Sequence, residues 1–208
     1  ELVKASAESA SEDKIIIAGT GSDSVKETIH LTNECAKAGA KAALVLTPSY
    51  YKAQMSHQAI VKYFTAVADY SDIPLFIYNV PKFTGIDILP STAAELALHK
   101  NIIGIKDSTE NIVHIMELLK SVPEDFIVFT GTGSVLYPAI SSGSKGGIVA
   151  LANVAPEQCV AIQTLILEGK HQEALALQNS LLELNKAVTA KYGVAGLKKA
   201  MDIVGYRG

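Results

Sequence analysis

The stretch Asn101-Ile-Ile-Gly-Ile-Lys-Asp-Ser-Thr-Glu-Asn111 decides how this chain is read. Ile102 to Ile105 form a short, continuously apolar run, the mark of a strand buried on both faces, and Lys106 ends it. Burying an unpaired ammonium is expensive, so a protein pairs such a lysine, lets it reach water, or works with its neutral form. Alternate residues of a strand share a face. Ile102, Gly104, Lys106 and Ser108 therefore lie on one side, and Ile103, Ile105 and Asp107 on the other. Two readings of Lys106 follow. In one it is a strand-end lysine, paired with Asp107 or snorkelling to solvent. In the other it is an amine held in an apolar pocket, free to attack a carbonyl and form a Schiff base.

Five more apolar runs resemble this one: Lys14 to Ala18, Ala42 to Leu46, Ile73 to Tyr78, Phe126 to Phe129 and Gly147 to Leu151. Amphipathic segments separate them. One follows Gly19-Thr-Gly-Ser-Asp-Ser24, with Ser22 or Asp23 as the expected cap and Gly39 as the expected stop. Others start at Ser56 and near Ser108 or Thr109. The strand starts are 28, 31, 29, 24 and 21 residues apart, the cadence of repeated strand–helix units. After Asn153 only helical patterns remain, over Pro156 to Leu167, His171 to Ala190 and Val194 to Val204.

Such alternation gives a doubly wound sheet or a (β/α)8 barrel, both with their chemistry at the carboxyl ends of the strands. Polar clusters follow every run here, which favours the barrel. We expect an α/β fold of the TIM-barrel type, incomplete because six strands do not close eight, with the first two missing. The chain opens on ELVKASAESASEDK without a Met and closes on DIVGYRG, so a fragment is expected. Residues 1–170 read as the partial barrel and residues 171–208 as a carboxyl-terminal helical segment.

Composition excludes several classes of function. Hydrophobic residues make up 49% of the 208, enough for a sizeable core. A net charge of −3 without a basic stripe argues against nucleic acid as partner. No apolar run approaches the roughly 20 residues of a membrane span. The two cysteines, Cys35 and Cys159, read as small buried hydrophobes. The five histidines show no metal-ligand spacing, so no metal is expected. The glycine loops at residues 19–24 and 131–136 complete neither a dinucleotide fingerprint nor a P-loop, and tight strand-to-helix turns explain them. A phosphate or dinucleotide binder stays as the rival of another class.

Two further positions carry possible chemistry. Tyr78 ends a strand in Leu75-Phe-Ile-Tyr-Asn-Val-Pro81. By position alone it reads as a core aromatic whose hydroxyl finds a backbone partner; the alternative is a general acid–base. Thr47-Pro-Ser-Tyr-Tyr51 offers Thr47, Tyr50 and Tyr51, where surface packing suffices for the tyrosines.

Taken in order, TPSYY (47–51), IYNVP (77–81) with Thr84-Gly85 just after, GIKDS (104–108) and GGIVALANV (146–154) resemble the pyruvate-dependent class I aldolase/lyase superfamily. That superfamily includes dihydrodipicolinate synthase and N-acetylneuraminate lyase. The resemblance implies that Lys106 is the Schiff-base residue for pyruvate or another 2-oxo acid, with no cofactor beyond the covalent imine. It implies that Tyr78 is the proton shuttle and that Tyr50 completes a hydroxyl relay in a neighbouring subunit's site, in a homodimer or homotetramer. The Ile148 carbonyl would line the pocket, and Thr47 and Ser108 would meet substrate.

Departures narrow the substrate. Phe83 stands where the synthase usually carries Arg, and the loop at 131–134 lacks the acidic residues of the sialic acid lyase. A G-x-x-G-E motif for the 2-oxo-acid carboxylate is absent. Together with AVTAKYGVAGLKKAMD and MDIVGYRG, the pattern looks most like the 4-hydroxy-2-oxoglutarate aldolase branch. The expectation is a lyase cleaving 4-hydroxy-2-oxoglutarate to pyruvate and glyoxylate. Condensation of pyruvate with aspartate semialdehyde, or cleavage of a 2-keto-3-deoxy sugar acid, are the alternatives, as is an inactive fragment. No targeting signal is legible, and the chain does not name its compartment, cytoplasm and mitochondrial matrix both staying open.

Overall fold

The computed structural model describes residues 1–208, which divide into two compact units. The first comprises Glu1–Lys106 and Lys120–Ile127, the second Asp107–Leu119 and Val128–Gly208. Helix and strand alternate along both, as the cadence of apolar runs requires.

The first unit contains α1 (Leu2–Ser9), β1 (Ile17–Gly19), α2 (Val25–Lys37), β2 (Ala42–Leu46), α3 (His57–Asp69), β3 (Leu75–Asn79), α4 (Pro81–Thr84), α5 (Pro90–Leu96) and all but the last residue of β4 (Ile102–Asp107). The strands lie side by side in chain order. β1 and β2 run parallel with Ile17 opposite Ala42, and β2 and β3 run parallel with Leu46 opposite Tyr78. The Leu75 N–H donates to the Asn101 carbonyl at 2.8 Å where β3 meets the start of β4. β1 is shorter than the apolar run predicts, because Lys14 and Ile15 are exposed before the ladder begins. The start of α2 also differs from expectation. Ser24, not Ser22 or Asp23, caps it by accepting the Glu27 N–H at 3.3 Å. Ser56 caps α3 as expected, accepting from the Ala59 N–H at 3.3 Å, and Ile60, Phe64 and Val67 bury the face its spacing predicts.

The second unit carries most of α6 (Ile112–Ser121) and β5 (Ile127–Thr130), then α7 (Leu136–Ser141), β6 (Gly146–Gly147), α8 (Pro156–Leu167), α9 (His171–Lys186) and α10 (Gly193–Ile203). β5 and β6 are parallel, Phe129 opposite Gly146. The expected strand Gly147 to Leu151 ends early. The chain turns into a 3-10 segment at Ala150–Asn153, which swings Leu151 into the core beside Leu136, Ile140, Val149, Ile162 and Leu181. α7, α8 and α9 share that core. Between α9 and α10, Ala187–Lys191 widens into one π-helical turn. No helix is long and apolar enough to cross a membrane.

Candidate active site

Strand alternation builds the site. On β2, β3 and β4 the residues Ala43, Val45, Leu75, Ile77, Asn79 and Ile105 are all fully buried. The opposite face carries Leu44, Leu46, Phe76, Tyr78, Gly104 and Lys106. Register places Leu44 beside Phe76 and Leu46 beside Tyr78. Gly104 meets Phe76 so closely that a Cβ there would sit 2.6 Å from Phe76 Cε1 and run into the Ile127 carbonyl. Only glycine lets the phenyl ring lie this close to the strand, two residues before the lysine.

Lys106 is 8% exposed. Its Nζ lies 3.9 Å from the centroid of the Tyr78 ring and takes part in no ion pair or side-chain hydrogen bond. The structural alternative, pairing with Asp107, does not occur. The Asp107 carboxylate accepts the Thr109 N–H at 3.1 Å and the Thr109 hydroxyl at 2.5 Å, and lies 3.4 Å from His114 Nε2. Snorkelling does not occur either, given the burial. A buried amine at the end of a strand, with no carboxylate beside it, is placed to add to a carbonyl.

The other expected residues fall as follows. Tyr78 is half-buried with its ring under the amine. Tyr50 is 77% exposed, packed edge-on against Tyr51 with ring centroids 4.9 Å apart. Thr47 is buried one position beyond Leu46, so it follows the parity of Asn79 rather than that of Tyr78. In the second unit, the Ser108 Oγ is buried without a hydrogen-bond partner. Ile148 prolongs the β5–β6 pairing, its N–H donating to the Thr130 carbonyl at 2.9 Å.

After β3 the chain makes the single turn of α4 and leaves it at Gly85, whose φ of 68° is left-handed. Phe83 on that turn is 79% exposed. The Lys52 side chain lies along the same turn, its Nζ 3.6 Å from where a Gly85 Cβ would stand. Lys52 was not legible as a site residue, because only the fold brings residue 52 to residue 85.

Competing chemistries find little here. Burial pushes both the Cys35 and the Cys159 thiols up, away from thiolate reactivity. His57 is bound to Thr92 and Glu95, each at 2.8 Å, and His99 to Asp69 at 3.1 Å. No group of three or more His, Cys, Asp or Glu side chains could hold a metal ion. The glycine loop at 131–134 is clamped by α9. The Gln178 amide donates to the Gly133 carbonyl at 2.9 Å and its oxygen accepts the Tyr137 N–H at 2.8 Å.

Known proteins resemble this chain in sequence and in fold. The family model described as the dihydrodipicolinate synthetase family matches residues 1–207. The 4-hydroxy-tetrahydrodipicolinate synthase of Pseudomonas syringae pv. syringae (strain B728a) is 36% identical over 190 residues, covering 91% of this chain and 64% of its own length. That of Mesorhizobium japonicum is 37% identical over 205 residues, covering 98% of this chain and 69% of its own length. The chain thus spans about two thirds of the curated relatives it matches. Among solved structures, dihydrodipicolinate synthase from Aquifex aeolicus superposes with a TM-score of 0.92 at 31% identity, over 98% of this chain and 69% of that one. The chloride-inhibited dihydrodipicolinate synthase from Acinetobacter baumannii complexed with pyruvate gives 0.91 at 30% identity, over 97% and 68%. By the extent of the family match and the identity of its relatives, the chain belongs to the dihydrodipicolinate synthetase family.

Proposed function

We propose that the chain carries the imine-forming site of a pyruvate-dependent lyase or synthase, with Lys106 as nucleophile. The observation that carries the reading is the buried Lys106 amine, without any ion pair, 3.9 Å over the Tyr78 ring. Lys106 adds to the C2 carbonyl of a 2-oxo acid and water leaves, forming an iminium that serves as electron sink. Loss of a C3 proton gives an enamine, which adds to the aldehyde carbon of the second substrate. The Tyr78 hydroxyl, resupplied through Tyr50, protonates the alkoxide that forms. The high exposure of Tyr50 supports a relay completed by a second copy of the chain. No diffusible cofactor enters these steps.

The acceptor in this reading is aspartate semialdehyde, because the curated relatives carry the name of 4-hydroxy-tetrahydrodipicolinate synthase. The Lys52 ammonium over Gly85 provides a cation for the acceptor's carboxylate on the turn that lacks an arginine. Those names give the 4-hydroxy-2-oxoglutarate reading no support. One observation keeps it as a second reading: exposed Phe83 stands at the arginine position. Here the same imine would break the C3–C4 bond, releasing glyoxylate and an enamine that is protonated and hydrolysed to pyruvate.

The test is borohydride reduction in the presence of pyruvate, followed by intact-mass measurement and peptide mapping. A reduced pyruvyl adduct on Lys106 is expected. A folded protein that gives no adduct, or an adduct on another lysine, rules the reading out. Comparing turnover of the semialdehyde pair with cleavage of 4-hydroxy-2-oxoglutarate then separates the two acceptors.

A further inference from the structure

Asp23 sits immediately before the Ser24 cap of α2, where a carboxylate would ordinarily serve its own helix. It turns instead to another loop. Its Oδ1 accepts the Ser49 N–H at 2.6 Å and the Tyr50 N–H at 3.2 Å, 26 and 27 residues further along the chain. A charged acceptor shared by two consecutive amides fixes the direction of the peptide between them, and hence of the side chain that follows.

The mount beneath Asp23 is itself rigid. The Ser22 carbonyl accepts the Tyr63 hydroxyl at 2.9 Å and the Thr28 hydroxyl at 3.3 Å, while the Ser22 N–H donates to Thr28 Oγ1 at 3.1 Å. Thr28 and Tyr63 are buried and joined to each other at 2.9 Å. The carboxylate thus hangs from a hydrogen-bonded core and reaches across to a loop whose tyrosines are exposed. Nothing else on the first glycine loop needs an acid at this place, since Ser24 already caps the helix.

We infer that Asp23 is a positioning residue for Tyr50: its carboxylate, held by the Ser22–Thr28–Tyr63 network, fixes the Ser49–Tyr50 amides and so the direction in which Tyr50 is presented. Asp23 acts through the backbone and touches no reacting atom. The functional half of this inference rests on the relay role proposed for Tyr50; the positioning half does not.

The experiment separates the halves. Hydrogen–deuterium exchange of the individual amides is read in the intact chain and in Asp23→Ala, Asp23→Asn, Tyr50→Phe and the Asp23→Ala/Tyr50→Phe pair. The Asp23→Ala chain should speed exchange at Ser49 and Tyr50 about tenfold, the scale of losing a charge-assisted hydrogen bond, and leave β2 and α2 unchanged. Asp23→Asn, which keeps an accepting oxygen, should restore most of the protection. Turnover should fall alike in Asp23→Ala and Tyr50→Phe, and no further in the pair, because both remove one function. Pyruvate trapping at Lys106 should hold in all four. Unchanged exchange at the two amides overturns the inference, as does a pair whose losses multiply. A Tyr50→Phe chain with full turnover overturns the relay instead, and is recognised as such because the exchange measurement involves no reaction.

Discussion

The two faces of β3 and β4 are built from neighbouring residues and do opposite things. On one, Leu75, Ile77 and Ile105 are fully buried, and the polar Asn79 among them is satisfied. Its amide donates to Asp87 at 2.8 Å and its oxygen accepts the Ile88 N–H at 3.0 Å. On the other, Tyr78 is only half-buried and Lys106 lacks a charged partner. One face is fully buried with its polar side chain paired; the other combines a half-buried tyrosine with a lysine that has no charged partner. The lesson is that this sheet satisfies its polar side chain on one side and leaves a lysine without a charged partner on the other.

The contrast is broken most completely by Lys106→Met. A side chain of similar length without the amine should abolish borohydride trapping of pyruvate, while stability in urea holds or rises by about 1 kcal/mol. A loss of trapping together with a loss of several kcal/mol would mean that the lysine also supports the fold, and the contrast would fail. The mirror experiment is Ile105→Ala, one residue away on the fully buried face. It should cost about 2–5 kcal/mol through the cavity it leaves and spare the trapping rate of whatever remains folded. Asn79→Ala should cost about 1–3 kcal/mol, since the Ile88 N–H would be buried without its acceptor. Urea midpoints at equal slope measure both.

Gly104→Ala sharpens the comparison on the lysine face. The added methyl meets Phe76 at 2.6 Å, and overpacking of this kind costs about 1–3 kcal/mol. Because Gly104 lies two residues before Lys106 on the same strand, trapping should slow more than global stability predicts. The smallest effect is in alkali. Burial pushes the Tyr63 hydroxyl above its ordinary value of 10.0. The folded value is raised, so the stability this neutral hydroxyl confers is complete below about pH 10 and lost as pH climbs through the folded value. Tyr63→Phe should be less stable at neutral pH and show a flatter stability profile above pH 10.

Much of this was legible in the chain itself. Continuous apolar runs at regular intervals determined parallel strands and intervening helices, because a strand covered on both sides cannot alternate with polar residues. Parity along Ile102 to Ser108 put Lys106 and Gly104 on one face, and in the fold they meet Tyr78 and Phe76, which share a parity on β3. The motifs TPSYY, IYNVP, GIKDS and GGIVALANV were enough to suggest the family. What the chain alone left open were the partners. Whether Lys106 pairs with Asp107 depends on Thr109 and His114, which occupy that carboxylate after the turn into α6. Asp23 read as a helix cap, because Ser49 and Tyr50 approach it only once β1 and β2 lie side by side. Leu151 read as strand, because nothing local announces a 3-10 turn that a shared core with Leu136 and Ile162 makes favourable. Periodicity and parity are properties of the backbone and survive in any sequence that folds this way. Pairings between residues 26 or more positions apart are set by tertiary packing, and only the folded chain decides them.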